Sequence, residues 1–261
     1  MGNTAILEMR NVNKSFGAVD VLKNVDFAVK PGEVTALVGD NGAGKSTLVK
    51  CIAGTYLFDS GEYYFEGKQV RVHSPRDAAH LGIEIVYQDL ALCDNLDVVQ
   101  NMFLGRERTR GIVLNESSME QAAQDTLASL SVRTLSTVRQ RVSSLSGGQR
   151  QTVAIAKAVL WNSQVVVLDE PTAALGVAQT AQVLDLVRRL ADHGVAVVLI
   201  SHNMLDVLQV ADEIAVMYLG RMAARVPRSE VNQQQLVELI TTGQRSGGNG
   251  NGREETNEVP A

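Results

Sequence analysis

The segment Gly39-Asp40-Asn41-Gly42-Ala43-Gly44-Lys45-Ser46-Thr47 constrains this chain more than any other, because of what flanks it. Before it runs Val34-Thr35-Ala36-Leu37-Val38, a near-continuous apolar stretch of the kind buried in a parallel sheet. From Ser46 to Ala53 the spacing turns helical. The segment fits G-x-x-x-x-G-K-[ST], a pattern that carries meaning only between a strand and a helix, and both are expected here. Its three glycines, at 39, 42 and 44, let the backbone fold into a nest of N–H groups aimed at phosphate oxygens. The following helix adds the positive end of its dipole. Gly39, Asp40, Asn41, Gly42, Ala43, Gly44, Lys45, Ser46 and Thr47 are thus candidate nucleotide-phosphate ligands. Lys45 suits the terminal phosphates, Ser46 offers a hydroxyl to Mg2+, and Thr47 suits the α/β-phosphate region.

The rest of the pattern is α/β. Ala5 to Val29 reads as strands, Pro31-Gly32 as a turn, and Gly61 to Val72 as further antiparallel strands. Residues 95–160 read as largely helical. Strands return at Val165 to Leu168, Val195 to Ile200 and Ile214 to Tyr218, and Val231 to Thr241 closes as a helix. Residues 245–261, glycine-rich and then charged, offer few apolar groups to offset ordering entropy and are expected to be a disordered polar tail.

Two further features carry chemistry. Asp169 ends the apolar run Val165-Val166-Val167-Leu168, where an unpaired carboxylate is costly and a Mg2+ shell relieves the cost. Ser146, Gly147 and Gly148 precede an expected helix, Gln149 to Leu160, so its N-terminus is a second anion site besides the glycine loop.

Five motifs then stand in one order: the glycine loop, Gln88 in Ile85-Val86-Tyr87-Gln88-Asp89, Leu145-Ser146-Gly147-Gly148-Gln149, Val165 to Glu170, and Ile200-Ser201-His202. The set resembles the ATP-binding subunit of an ABC transporter. That resemblance implies a P-loop NTPase (RecA-like) core with a mainly parallel sheet, an N-terminal antiparallel β subdomain and an α-helical signature subdomain at about 90–160, all within one ATP-binding domain, 5–244. It implies ATP and Mg2+ as ligands, with Ser46, Gln88 and Asp169 toward the metal. Glu170, His202 and Gln88 are then the catalytic set: Glu170 orients the attacking water and His202 contacts the γ-phosphate. Ser146, Gly147, Gly148 and Gln149 serve the ATP of a second ATP-binding subunit in a head-to-tail dimer. Phe16 is the candidate adenine stack.

The phosphate loop and the segment Asp94 to Glu107 resemble the simple-sugar importer branch, for ribose, xylose or fructose. The partners implied are transmembrane permease subunits, a second ATPase copy and, indirectly, an extracytoplasmic sugar-binding protein. The place implied is the cytoplasmic face of the inner membrane, bound peripherally. One departure stands out: many relatives read Ser-Ala-Leu-Asp after Pro171-Thr172, whereas this chain reads Ala173-Ala174-Leu175-Gly176. Export, another small solute, or a soluble non-transport ABC ATPase remain as alternatives.

Charge narrows the choice. Lys+Arg 24 against Asp+Glu 29 gives 24 − 29 = −5, a poor balance for charge-driven nucleic-acid binding, so no nucleic-acid partner is expected. Cys51 and Cys93 fit no metal spacing and no disulfide framework. The N-terminus does not read as a secretory signal, and the apolar runs fall short of the ~20 residues that a membrane-spanning helix needs.

Overall fold

A computed structural model describes residues 4–132 and 135–244; the expected polar tail lies outside them. Strands β1 (Leu7–Phe16) and β2 (Val19–Val29) form a hairpin that pairs with β4 (Ser60–Phe65) and β5 (Lys68–Gln69), all antiparallel. The second sheet is built from β3 (Val34–Gly39), β6 (Ile83–Val86), β9 (Val165–Asp169), β10 (Ala196–Ile200), β11 (Glu213–Tyr218) and β12 (Arg221–Pro227). Its spatial order is β12-β11-β3-β10-β9-β6. Five of these strands are parallel, and β12 runs antiparallel on the edge.

The central strands are apolar on both faces because both faces are covered. Along β10, Val197 and Leu199 enter one core while Ala196, Val198 and Ile200 enter another; Val166 and Leu168 of β9 part from Val165 and Val167 in the same way. The first core lies toward α5 (Gly147–Val159) and α6 (Val177–Asp192), the second toward α1 (Lys45–Ile52) and the antiparallel sheet. A third packs β11 against α7 (Met204–Val210) and α8 (Gln233–Thr242). Cys51 is buried and Cys93 partly so, both free; burial pushes the Cys51 thiol up to about 11.

Residues 95–160 are less helical than their spacing predicts. After α3 (Val98–Phe103) comes a small hairpin, β7 (Thr109–Arg110) with β8 (Val113–Leu114), and then α4 (Glu116–Ser129). Ile112, Val113 and Leu114 are exposed, so their apolar character marks no helix face. Between Leu130 and Ser146 the described chain has only a short 3-10 turn, Val142–Ser144. Arg139 holds this stretch through Asp97 at 3.4 Å, Glu116 at 3.2 Å and Glu120 at 2.8 Å. The segment after β6 joins it by backbone bonds, Ser143 N–H to Asp94 and Val142 N–H to Leu96.

Candidate functional site

Four neighbouring strands of the parallel sheet end on the same side, and each end leads into a candidate residue. In spatial order β3 leads into the glycine loop, β10 into Ser201-His202, β9 into Asp169-Glu170, and β6 toward Gln88. The register aligns them: Ile200 pairs with both Leu37 and Asp169, and Val86 with Leu168. Carboxyl ends of parallel strands are where open α/β sheets place their ligands.

The glycine loop leaves β3 at Gly39 and enters α1, with Gly44 at the N-cap. Gly39 and Gly42 have φ of +151° and +81°, which L side chains rarely adopt. Lys45 folds back over the loop, its Nζ donating to the Gly39 carbonyl at 2.7 Å and the Asp40 carbonyl at 3.0 Å. Burial lowers its pKa, opposed by the charges of Glu170, Asp40 and Asp169. Ser46 is exposed on the first turn of α1 and Thr47 half-buried beside it. Asn41 is exposed at the loop tip and Ala43 buried, its carbonyl accepting from Gly220 N–H at 3.1 Å.

At the end of β9, burial raises the Asp169 pKa, and the charge of Glu170 raises it further against Lys45 and Lys50. Such a carboxylate is one that a cation would stabilise. Glu170, 16% exposed in its side chain, has φ +50° and places Oε2 2.8 Å from Nδ1 of His202, which is 79% exposed. Gln88 is exposed two residues beyond β6. Phe16 is 43% exposed, edge-on to Tyr56 at 5.2 Å between ring centroids, with the Lys14 ammonium 5.3 Å from its own. It is a surface aromatic rather than a core one.

Ser146 caps α5 in a capping box: Gln149 N–H donates to Ser146 Oγ at 3.3 Å, and Ser146 N–H to Gln149 Oε1 at 2.8 Å. Gly147 and Gly148 open the helix, with Leu175 and Gln179 packed close beside them. Gly176 stands at the N-cap of α6 with no side chain to cap it; the Gln179 amide oxygen accepts its N–H at 3.4 Å instead.

The matching family model is that of the ABC transporter, over residues 22–173. The chain belongs to the ABC transporter family. A xylose/arabinose import ATP-binding protein of Sulfolobus acidocaldarius is 45% identical over 237 residues, covering 91% of this chain and 94% of the relative. A fructose import ATP-binding protein of Rhizobium meliloti is 43% identical over 248 residues, covering 92% and 95%. Among solved structures, the ADP conformation of an ATP-binding cassette from an ABC transporter is similar at TM-score 0.78 and 28% identity, covering 92% of this chain and 96% of that one. The chain is an ABC ATPase with the expected fold, a mostly parallel α/β sheet beside an antiparallel β-sheet.

Sequence reading missed Asp206, which is buried in the first turn of α7 between the turns that follow β9 and β10. Its one signal was a carboxylate inside the apolar run Met204-Leu205-Asp206-Val207-Leu208, where an acid near a helix start passes as a dipole partner. Among the described residues, no helix is long and apolar enough to cross a membrane.

Proposed function

We propose that this chain is the ATP-hydrolysing subunit of an importer for a monosaccharide, working at the cytoplasmic face of the membrane on permease subunits. Residues 5–244 form its ATP-binding domain. The observation that carries the reading is the row of strand ends, which brings the glycine loop, His202, Asp169-Glu170 and Gln88 to one edge.

In this reading the 39–47 backbone and Lys45 hold the phosphates, and the exposed Phe16 ring stacks on adenine. The donors fit Mg2+: a carboxylate at Asp169, the Ser46 hydroxyl and the Gln88 amide are hard oxygen ligands. They are too few to enclose the ion alone. No cluster of three or more His, Cys, Asp or Glu that could hold a metal occurs among the described residues, and Asp169, Ser46 and Gln88 would hold the ion only alongside a bound nucleotide. When bound, the ion neutralises charge developing on the β- and γ-phosphate oxygens. Glu170 accepts a hydrogen bond from the attacking water and orients it in line with the γ-phosphorus. His202, poised against the Glu170 carboxylate, donates toward the γ-phosphate, where charge builds as the bond to the leaving oxygen lengthens.

A second copy supplies Ser146, Gly147, Gly148 and Gln149. The N-terminus of α5 is an anion site, while the nucleotide of this chain is already held by α1 and its loop. Two copies meeting head to tail put each α5 terminus on the other's γ-phosphate, and two-fold symmetry repeats the contact. Sugar cargo is supported by what the relatives carry, xylose/arabinose and fructose. Specificity for that cargo belongs to the permease and an extracytoplasmic binding protein.

The test is the mass of Glu170→Gln by light scattering, with and without Mg-ATP. Doubling only with Mg-ATP supports the sandwich; a monomer at saturating Mg-ATP overturns the self-paired motor. For cargo, the permease that co-purifies from native membranes is reconstituted with the chain. ATP turnover should rise with one of the pentoses or fructose, and indifference to every monosaccharide would overturn the import reading.

A further inference from the structure

Asp206 is 6% exposed, yet the side chains that donate to its carboxylate are neutral: Thr172 Oγ1 donates to one oxygen at 2.6 Å and Asn203 Nδ2 to the other at 3.0 Å. A buried carboxylate is costly unless hydrogen bonds hold it, and complementing a helix dipole needs no burial. The cost is explained by where the two partners stand. Thr172 is two residues past Glu170, on the turn leaving β9; Asn203 is the residue after His202, on the turn leaving β10. One side chain therefore ties the glutamate turn to the histidine turn.

Those turns need tying. Glu170 is a non-glycine residue at φ +50°, a strained conformation that persists only where its surroundings over-determine it. Its N–H donates to the Ile200 carbonyl at 3.0 Å, and its carbonyl accepts from Ala173 N–H at 3.1 Å. Asn203 is fixed in turn: its N–H donates to Ser201 Oγ at 3.0 Å, and its Oδ1 accepts from Leu205 N–H at 3.0 Å. Asp206 adds a side-chain link between Thr172 and Asn203 beyond the backbone bond from Glu170 to Ile200.

We infer that Asp206 is a positioning residue for ATP hydrolysis, clamping Thr172 to Asn203 so that Glu170 and His202 hold their mutual geometry at the γ-phosphate. The inference rests on the ATPase roles proposed above for Glu170 and His202. It assigns Asp206 no contact with nucleotide or water. Its effect falls on the chemical step and spares ATP affinity, which belongs to the glycine loop on β3.

The experiment compares full-length wild type, Thr172→Val, Thr172→Ser and Asp206→Asn for Mg-ATP turnover, with ATP affinity measured separately by calorimetry. Thr172→Val deletes one arm of the clamp at constant shape, whereas Thr172→Ser keeps the hydroxyl. Thr172→Val should lose roughly 10- to 100-fold in kcat, since small misplacements at a phosphoryl-transfer site carry such penalties. Its ATP Kd should stay within about twofold, and Thr172→Ser should recover most of the turnover. Asp206→Asn keeps an acceptor for Thr172 but offers the other side an amide, so it should fall between. Unchanged kcat in Thr172→Val overturns the inference. So does a parallel loss of kcat, affinity and melting temperature that serine does not rescue, which is the mark of a merely structural aspartate. Should Thr172→Val fail to fold, Asp206→Asn decides by the same split of kcat from Kd. A wild type that binds ATP without hydrolysing it would remove the proposed roles of Glu170 and His202, and this inference with them.

Discussion

Alanine at Gly39 and alanine at Gly42 should separate what the glycine loop does for the fold from what it does for phosphate. Gly39 is the last residue of β3 and pairs with Met217 of β11. A Cβ at Gly39 would stand 2.3 Å from the Met217 carbonyl oxygen, where ordinary contact begins at 3.4 Å, so the paired strands must part by about an ångström. Overpacking of this kind costs about 1–3 kcal/mol, and the positive φ adds about 1–2 kcal/mol. The sum, about 2–5 kcal/mol, is a large part of the roughly 5–15 kcal/mol by which a domain is stable. At Gly42 a Cβ meets nothing within 4 Å, so only the left-handed backbone is strained, at about 1–2 kcal/mol. At about 2–4 °C per kcal/mol for a chain of this size, Gly42→Ala should melt roughly 2–8 °C below wild type. Gly39→Ala should lose at least twice as much or fail to fold. Thermal melts without nucleotide, followed by ATP titration of whatever folds, make the comparison. Gly42→Ala should fold yet bind ATP more weakly, because its N–H lies in the phosphate nest. Equal stability losses at the two sites, or a larger one at Gly42, would refute the argument from the β3–β11 contact.

Lys45→Ala should weaken ATP binding on the order of 10- to 100-fold, the worth of a charge-assisted hydrogen bond, as read by calorimetry; unchanged affinity would remove Lys45 from the phosphate site. Glu170→Gln should keep ATP affinity and lose about 10²- to 10⁴-fold in kcat. Its melting temperature should move by no more than about 2–4 °C, because the partner lost, His202, is largely exposed. Substantial remaining hydrolysis would mean that another group positions the water. Asp169→Asn should stabilise the nucleotide-free chain at neutral pH while abolishing Mg-dependent turnover, a trade of activity for stability. The sign follows from the raised pKa of the folded carboxylate. The folded state holds the proton more tightly than the unfolded one, so stability falls as pH rises from the ordinary aspartate value, about 3.9, through the raised value. The gap between Asp169→Asn and wild type should therefore open over that window and close below it; a gap constant with pH would assign the stabilisation to packing.

The parts of this molecule legible in the sequence are those whose residue types are dictated by backbone geometry or by burial on both sides. The strand Val34–Gly39 and the loop after it could be read because a glycine nest between an apolar strand and a helix serves few other purposes. Val165–Asp169 and Ala196–Ile200 were legible because strands covered on both faces lose the alternation that marks half-buried ones. The segment around residues 104–146 was not, and the reason is physical. Ile112, Val113 and Leu114 look like core but sit on an exposed hairpin, while the described chain around Arg139 is held by that residue's ion pairs instead of a repeating pattern. Ion pairs join residues by distance in space, and no periodicity reports them. The same limit hid the clamp at the site. Nothing in the chain order brings β10 between β3 and β9, yet that order is what sets His202 beside Glu170. Thr172 and Asp206 stand 34 residues apart and meet at 2.6 Å, so an aspartate that reads as an ordinary helix-start acid becomes the link between two turns. The chemistry-bearing residues were visible because chemistry restricts their type. What holds them in place was not, since many residue types can do it and only the folded chain shows which one does.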